Sequence, residues 1–135
     1  MQVSRELTDS AIGLFKGKNF AFISSLMKDG SPQLTPVWID YDGQFLLVNT
    51  AEGRTKQKNF ARDPRVAISV VDQNNPYNMV SVRGRVVDQT TNGADDHIDK
   101  LAKRYLGADK YPFRTPDEKR IILKIMPEKV FQLSI

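Results

Sequence analysis

The sequence predicts a mainly β fold: about six antiparallel strands forming a closed or split barrel, with helices inserted at three points. Three observations carry this. Six segments are rich in aliphatic, β-branched and aromatic residues. The early ones are joined by Asp-Gly turn dipeptides, too short for the crossover a parallel sheet needs. Helical periodicity is confined to three short stretches. With 135 residues the chain reads as one domain, since domains commonly hold about 100–150 residues.

Taken in order, the N-terminal stretch places Leu7, Ala11, Ile12, Leu14 and Phe15 at helical spacing, with Ser4 as the expected N-cap and Gly17 as the stop. "NFAFISSLMKDG" is a strand that runs into the Asp29-Gly30 turn, "SPQLTPVWIDYDG" a second that ends at Asp42-Gly43, and "QFLLVNT" a third. The three read as a β-meander with two hairpin turns. Residues 53–65 read as a short helix that Pro64 cannot continue. "RVAISVVD" is the fourth strand, followed by a polar loop through Gln73, Asn74, Asn75 and Pro76. "MVSVRGRVVDQ" is the fifth, where Gly84 marks a bulge or barrel bend. Residues 92–106 form the third helix, with Ile98, Leu101, Ala102, Tyr105 and Leu106 on one stripe. Its charges suit the helix dipole: Asp95 and Asp96 lie early, Lys100, Lys103 and Arg104 late, and Gly107 closes it. His97 falls off the apolar stripe and is expected in solvent. "RIILKIMPEKVFQLSI" supplies one or two closing strands, broken at Pro127.

Composition narrows the chemistry. The absence of cysteine excludes disulfides, iron–sulfur clusters and thiolate zinc sites, and a single histidine argues against a His-rich metal centre or a serine-protease type triad. No GxGxxG, GxxxxGK[ST] or GxSxG motif occurs. The polar start "MQVSRELTDS" and the lack of an apolar run of about 18 residues predict a soluble cytoplasmic protein without a membrane partner. An enzyme built this way borrows its reactivity from a cofactor or from a metal held by carboxylates.

The charge is concentrated. Residues 53–65 hold Arg54, Lys56, Lys58, Arg62 and Arg65 against Asp63, a net of +4 that equals the net charge of the whole chain. A helix start carries free N–H groups and a partial positive charge, so bases there oppose it by about 0.3–1 kcal/mol each. Arg54, Lys56 and Lys58 crowd that start, which makes sense if a phosphate occupies it and the side chains clamp it. Asn59, three residues after Lys56, adds a neutral donor on the same side, whereas Lys58, Arg62 and Arg65 share another side; Phe60 and Ala61 are expected in the core. The competing reading is a solvated helix face whose bases pair with Glu52 and Asp63, and the residues alone leave the two level.

Other candidates carry double readings too. Trp38, after Pro36 and Val37, either flanks a flat ring or packs in the core; Asn49 and Thr50 end a strand beside the basic window and either contact a ligand or cap the strand. Tyr77, next to Pro76, is a stacking or interface residue or an ordinary loop aromatic. Arg83 and Arg85 share a strand face and either serve an interface or have no role beyond the surface.

The run from "FAFISSLMKDGSPQLTPVW" through the strand end, G-R-x-K-x-x-N and R-D-P-R-V resembles the pyridoxamine 5′-phosphate oxidase-like split-barrel superfamily, over roughly residues 19–133. It is most similar to the small flavin/deazaflavin oxidoreductases, which use coenzyme F420 in many members and FMN in others. The resemblance implies that residues 1–135 form one FMN-binding-type split barrel. It implies that Arg54 and Lys56 hold the cofactor phosphate with Asn59 nearby, and that Pro36, Val37, Trp38, Asn49 and Thr50 line the ring. It further implies a homodimer with cofactor sites at the subunit interface, where Tyr77 reaches the opposite subunit's site. True pyridoxamine phosphate oxidases carry a longer basic C-terminus; here the sequence stops at Ile135 with "FQLSI", so that activity is not expected. F420 has an anionic oligoglutamate tail that the surplus bases Lys58, Arg62, Lys16 and Lys18 suit, so F420 is expected and FMN is the alternative. The expected function is hydride transfer to or from a small organic substrate, with no catalytic side chain assigned. A nucleic-acid-binding barrel using the basic window and Phe60 ranks lower, since the other bases show no stripe interleaved with aromatics. A cofactor carrier without turnover is a further alternative.

Overall fold

The computed structural model describes residues 2–4, as backbone, and residues 6–134. Its elements run β1 (Gln2–Ser4), α1 (Asp9–Lys16), β2 (Ala21–Leu26), β3 (Pro32–Val37), β4 (Asp40–Tyr41), β5 (Leu46–Ala51), α2 (Thr55–Arg62), β6 (Arg65–Val71), β7 (Met79–Thr90), α3 (Ala94–Leu106) and β8 (Arg120–Leu133). The strands form one antiparallel sheet in the order β3-β2-β6-β7-β8-β5-β4, with β1 added on β8. The sheet curls into a split barrel around a core that includes Phe15, Ile23, Ile39, Leu46, Ile68 and Leu123. The six expected strands are present, and β1 and β4 make eight among the described residues.

Two local expectations change. Ser4 is not the cap of α1: it pairs with Val130 in the β1–β8 ladder. Thr8 takes that role, with extended backbone and an Oγ1 that accepts from Ala11 N at 3.2 Å. The meander does not form either. Both turns make hairpins, β2–β3 and β4–β5, but the hairpins sit at opposite ends of the sheet. Pro32 and Pro36 leave β3 without two of the N–H donors that a second ladder needs, which suits an edge strand. At Trp38 and Ile39 the chain leaves β3 because α3 captures it. The Tyr105 hydroxyl accepts from Ile39 N at 3.1 Å, and Arg104 donates to Ile39 O at 3.0 Å.

Elsewhere the local signals hold. The β7–β8 register shifts between Arg83 and Gly84, and Gly84 lies opposite Pro127, so β8 crosses its proline as one bulged strand. A Cβ on Gly84 would collide with the Met126 carbonyl oxygen. Gly107 ends α3 in the left-handed region at φ 71°, its N–H donating to Lys103 O at 3.0 Å. No helix among the described residues is long and apolar enough to cross a membrane.

Candidate functional site

A cleft of about 250 Å³ opens where the end of β3, the end of β5, the start of α2 and the start of β8 meet beneath the segment 107–119. Pro36, Val37, Trp38, Asn49, Thr50, Arg54 and Lys56 all line it, joined by Phe20, Ile98, Tyr111, Phe113 and Arg120. Two larger clefts lie elsewhere, about 460 Å³ beside α1 and about 370 Å³ on the outer sheet face. The smaller one is the candidate because it alone brings three cations together with an aromatic wall.

The wall is built from residues distant in sequence. Trp38 stacks on Tyr105 at 5.3 Å between ring centroids, and Tyr111 meets Trp38 edge-on at 6.0 Å. Tyr111 in turn meets Phe113 at 5.6 Å. Phe20 and Phe113 are 56% and 63% exposed, so apolar ring surface faces the cleft mouth without cover in the single chain. Trp38 thus serves both the packing and the cleft lining that its sequence position allowed.

The cations come from two places. Arg54 is the N-cap of α2 and makes no side-chain cap bond; the first turn of α2 carries no acid. Its guanidinium pairs with Glu118 at 3.6 Å and is half exposed. Arg120, at the start of β8, is buried; its Nε donates to Asn49 Oδ1 at 2.9 Å, its Nη1 pairs with Glu118, and its guanidinium lies 5.1 Å from the Tyr111 ring centroid. Lys56 is half-buried between them, and no described carboxylate lies within ion-pair distance of it. Burial first, then the positive charges of Arg54 and Arg120, push the Lys56 ammonium below the usual lysine range. Three cations thus face one carboxylate, at a helix start that no side chain caps, a geometry suited to a phosphate. Thr50, 2% exposed, places beside the cleft a buried hydroxyl without a partner among the described residues.

The unpaired charge of Lys56 has a measurable consequence. A lysine whose folded pKa is depressed binds fewer protons folded than unfolded, so its charged form costs stability below the folded pKa, and the cost fades as pH rises through it. Lys56→Met should therefore raise the ligand-free melting temperature at pH 7 by about 2–4 °C while weakening phosphate-group binding. Thermal melts in phosphate-free buffer check this; a lowered melting temperature would refute an uncompensated charge.

The rest of the basic window separates from the cleft. Asp63 pairs with Arg65 at 2.7 Å, but Glu52 pairs with Lys119, outside the window. Arg62 donates to Leu26 O at 3.0 Å and to Asn59 Oδ1 at 2.8 Å. Asn59 does not line the cleft: it is buried, and its Nδ2 donates to Ser25 Oγ at 2.9 Å. Its amide ties α2 to β2. Phe60 is in the core as expected, whereas Ala61 is exposed, since an eight-residue helix turns only one narrow side inward. Tyr77 is 63% exposed in the β6–β7 loop and does not line its own chain's cleft.

His97 corrects a sequence expectation. It is not in solvent: its side chain is 9% exposed, with Nε2 at 3.2 Å from Asp40 Oδ2 and Nδ1 at 3.1 Å from Asn49 Nδ2. Its partners come from β4 and β5, which helical periodicity cannot see. Arg120, Tyr111 and Phe113 also line the cleft, and they lie outside every sequence motif that points to the site.

Comparison with known proteins gives one family. The profile described as pyridoxamine 5′-phosphate oxidase matches residues 7–134. Among curated proteins, the F420H(2)-dependent biliverdin reductase of Mycobacterium tuberculosis (strain CDC 1551 / Oshkosh) is 22% identical over 130 residues, spanning 96% of this chain and 90% of that protein. Among solved structures, an F420 reductase aligns at TM-score 0.77 with 29% identity, covering 88% of this chain and 94% of the other. The General Stress Protein 26 from Bacillus anthracis aligns at TM-score 0.67 with 15% identity over 93% of this chain and 92% of its own, a likeness of fold alone.

Proposed function

The chain belongs to the pyridoxamine 5′-phosphate oxidase family, and from that premise we propose that it is an oxidoreductase that holds coenzyme F420 in the cleft between α2, β5 and β8. The observation that carries the proposal is the convergence of Arg54, Lys56 and Arg120 on an uncapped helix start beside the Trp38–Tyr111–Phe113 wall. Two relatives whose names carry F420, one of them 29% identical over most of both chains, support the deazaflavin over FMN. Exposed Lys58, one helical step beyond the clamp, suits an anionic tail.

The chemistry supplied by the bound deazaflavin is hydride transfer to or from a small organic substrate. The residues of this chain bind and orient. Arg54, Lys56 and Arg120 hold the phosphate, and Asn59 is not part of that clamp. Pro36, Val37, Trp38 and Thr50 would line the ring. We further propose that the protein works as a homodimer. Phe22 and Leu34 are exposed on the outer face of the β2–β3 hairpin, and that face runs on to Pro36 at the cleft, so a second copy would cover both and bring its Tyr77 within reach.

Titrating the purified protein with F420 and with FMN, alongside sedimentation, tests the proposal. F420 should bind at least about tenfold tighter than FMN, to a species of twice the chain mass. Equal or tighter FMN binding would replace the deazaflavin by the flavin, and a monomer that binds F420 fully would remove the shared site.

A further inference from the structure

A line of four side chains runs from the cleft into the protein. Arg120 Nε donates to Asn49 Oδ1 at 2.9 Å; Asn49 Nδ2 meets His97 Nδ1 at 3.1 Å; His97 Nε2 meets Asp40 Oδ2 at 3.2 Å. The proton positions follow from the two ends. A guanidinium only donates, so the Asn49 oxygen must face Arg120, and Ala94 O only accepts, so the Asn49 nitrogen must face it, at 2.8 Å. The remaining hydrogen of Nδ2 then points at His97 Nδ1, which has to be unprotonated. The imidazole proton sits on Nε2 and is donated to Asp40, which Arg104 holds at 2.9 Å and Lys100 at 3.5 Å.

We propose that His97 is a positioning residue of the anion cleft. Its unprotonated Nδ1 fixes the Asn49 amide, and Asn49 Oδ1 in turn fixes the guanidinium of Arg120 toward the bound phosphate. The inference rests on the cofactor reading above. It assigns Asn49, whose two amide hydrogens go to Ala94 O and His97 Nδ1 and whose oxygen accepts from Arg120, the task of aiming Arg120. Glu118 and Tyr111 also hold Arg120, so loss of this line loosens the clamp without abolishing it.

Two substitutions separate this role from a purely structural one. The side-chain oxygen of asparagine lies as many bonds from Cα as imidazole Nδ1, so His97→Asn keeps the acceptor for Asn49 and gives up the bond to Asp40. Glutamine reaches the Nε2 position instead, so His97→Gln keeps the bond to Asp40 and gives up the acceptor. F420 affinity should stay within about threefold of wild type in His97→Asn and fall about tenfold in His97→Gln. The reverse order, or equal losses, would overturn the proposal. A second arm needs no ligand. This is the only histidine of the chain, so its imidazole nitrogen signals are unambiguous. Nδ1 should be the unprotonated nitrogen, and the Arg120 Nε–H signal should move in His97→Gln and hold in His97→Asn. A protonated Nδ1, or an Arg120 signal indifferent to both variants, would also overturn it. If wild type binds neither F420 nor FMN, the cofactor reading fails, and the ligand-free arm still decides whether His97 positions Arg120.

Discussion

Arg54→Ala combined with Lys56→Ala should weaken F420 binding about a hundredfold or more, while Arg62→Ala combined with Arg65→Ala should change it less than about threefold. A hydrogen bond to a charged group contributes about 1.5–3 kcal/mol, and two of them would give a hundredfold even after discounting the half-exposed, already paired Arg54. Arg62 and Arg65 carry the same formal charge but spend it elsewhere, on Leu26 O and Asn59 and on Asp63. What they add at the cleft is a field through solvent, which physiological salt screens within about 8 Å. Fluorescence titration of the four-site comparison reads the result directly. Equal losses in the two double variants would show generic charge attraction and no clamp. The ligand offers its own control: a deazaflavin lacking the phosphate should bind both double variants alike.

The half of the clamp that was legible in the sequence is local. Arg54 and Lys56 stand at a helix start against its dipole, and the turn after β5 and Pro64 delimit that helix within eleven residues of sequence. Arg120 is not local. It reaches Asn49 across 71 residues of chain, and only the β5–β8 ladder puts the two side by side. The same distinction separates right from wrong elsewhere. Asp29-Gly30 and Asp42-Gly43 announce two hairpins because turn chemistry is local, but which strands the hairpins join depends on Tyr105 and Arg104 catching Ile39, 66 and 65 positions away. The periodicity of α3 placed Ile98 and Leu101 correctly and His97 wrongly, since His97 is buried by β4 and β5 and not by its own helix's stripe.

Asp40→Ala should cost about 3–5 kcal/mol of folding stability at pH 7, the range for removing one partner of a buried ion pair. Asp40 is almost wholly buried and accepts from Arg104, His97 and Lys100, and Arg104 itself is largely buried; alanine leaves the guanidinium there without its counter-charge. Burial by itself would raise the Asp40 pKa, but the hydrogen bonds from His97 and Arg104 outweigh it and hold the carboxyl well below the usual carboxylate range. The folded pKa therefore lies below the unfolded value of about 3.9. In the acid range the unfolded chain binds the extra proton, so this contribution is complete above about pH 5 and drains away as pH falls below 4 toward the folded pKa. Asp40→Asn, which cannot ionise, should lose stability at pH 7 but show a shallower fall between about pH 5 and 3 than wild type. Urea denaturation at these pH values measures both. Parallel pH slopes would mean that Asp40 carries no excess charge stabilisation. The same acid also sets the cleft. Through Arg104, which also donates to Ile39 O, it holds α3 against β4 next to the Trp38 wall, so a variant that still folds should bind F420 more weakly in proportion to how far these elements part.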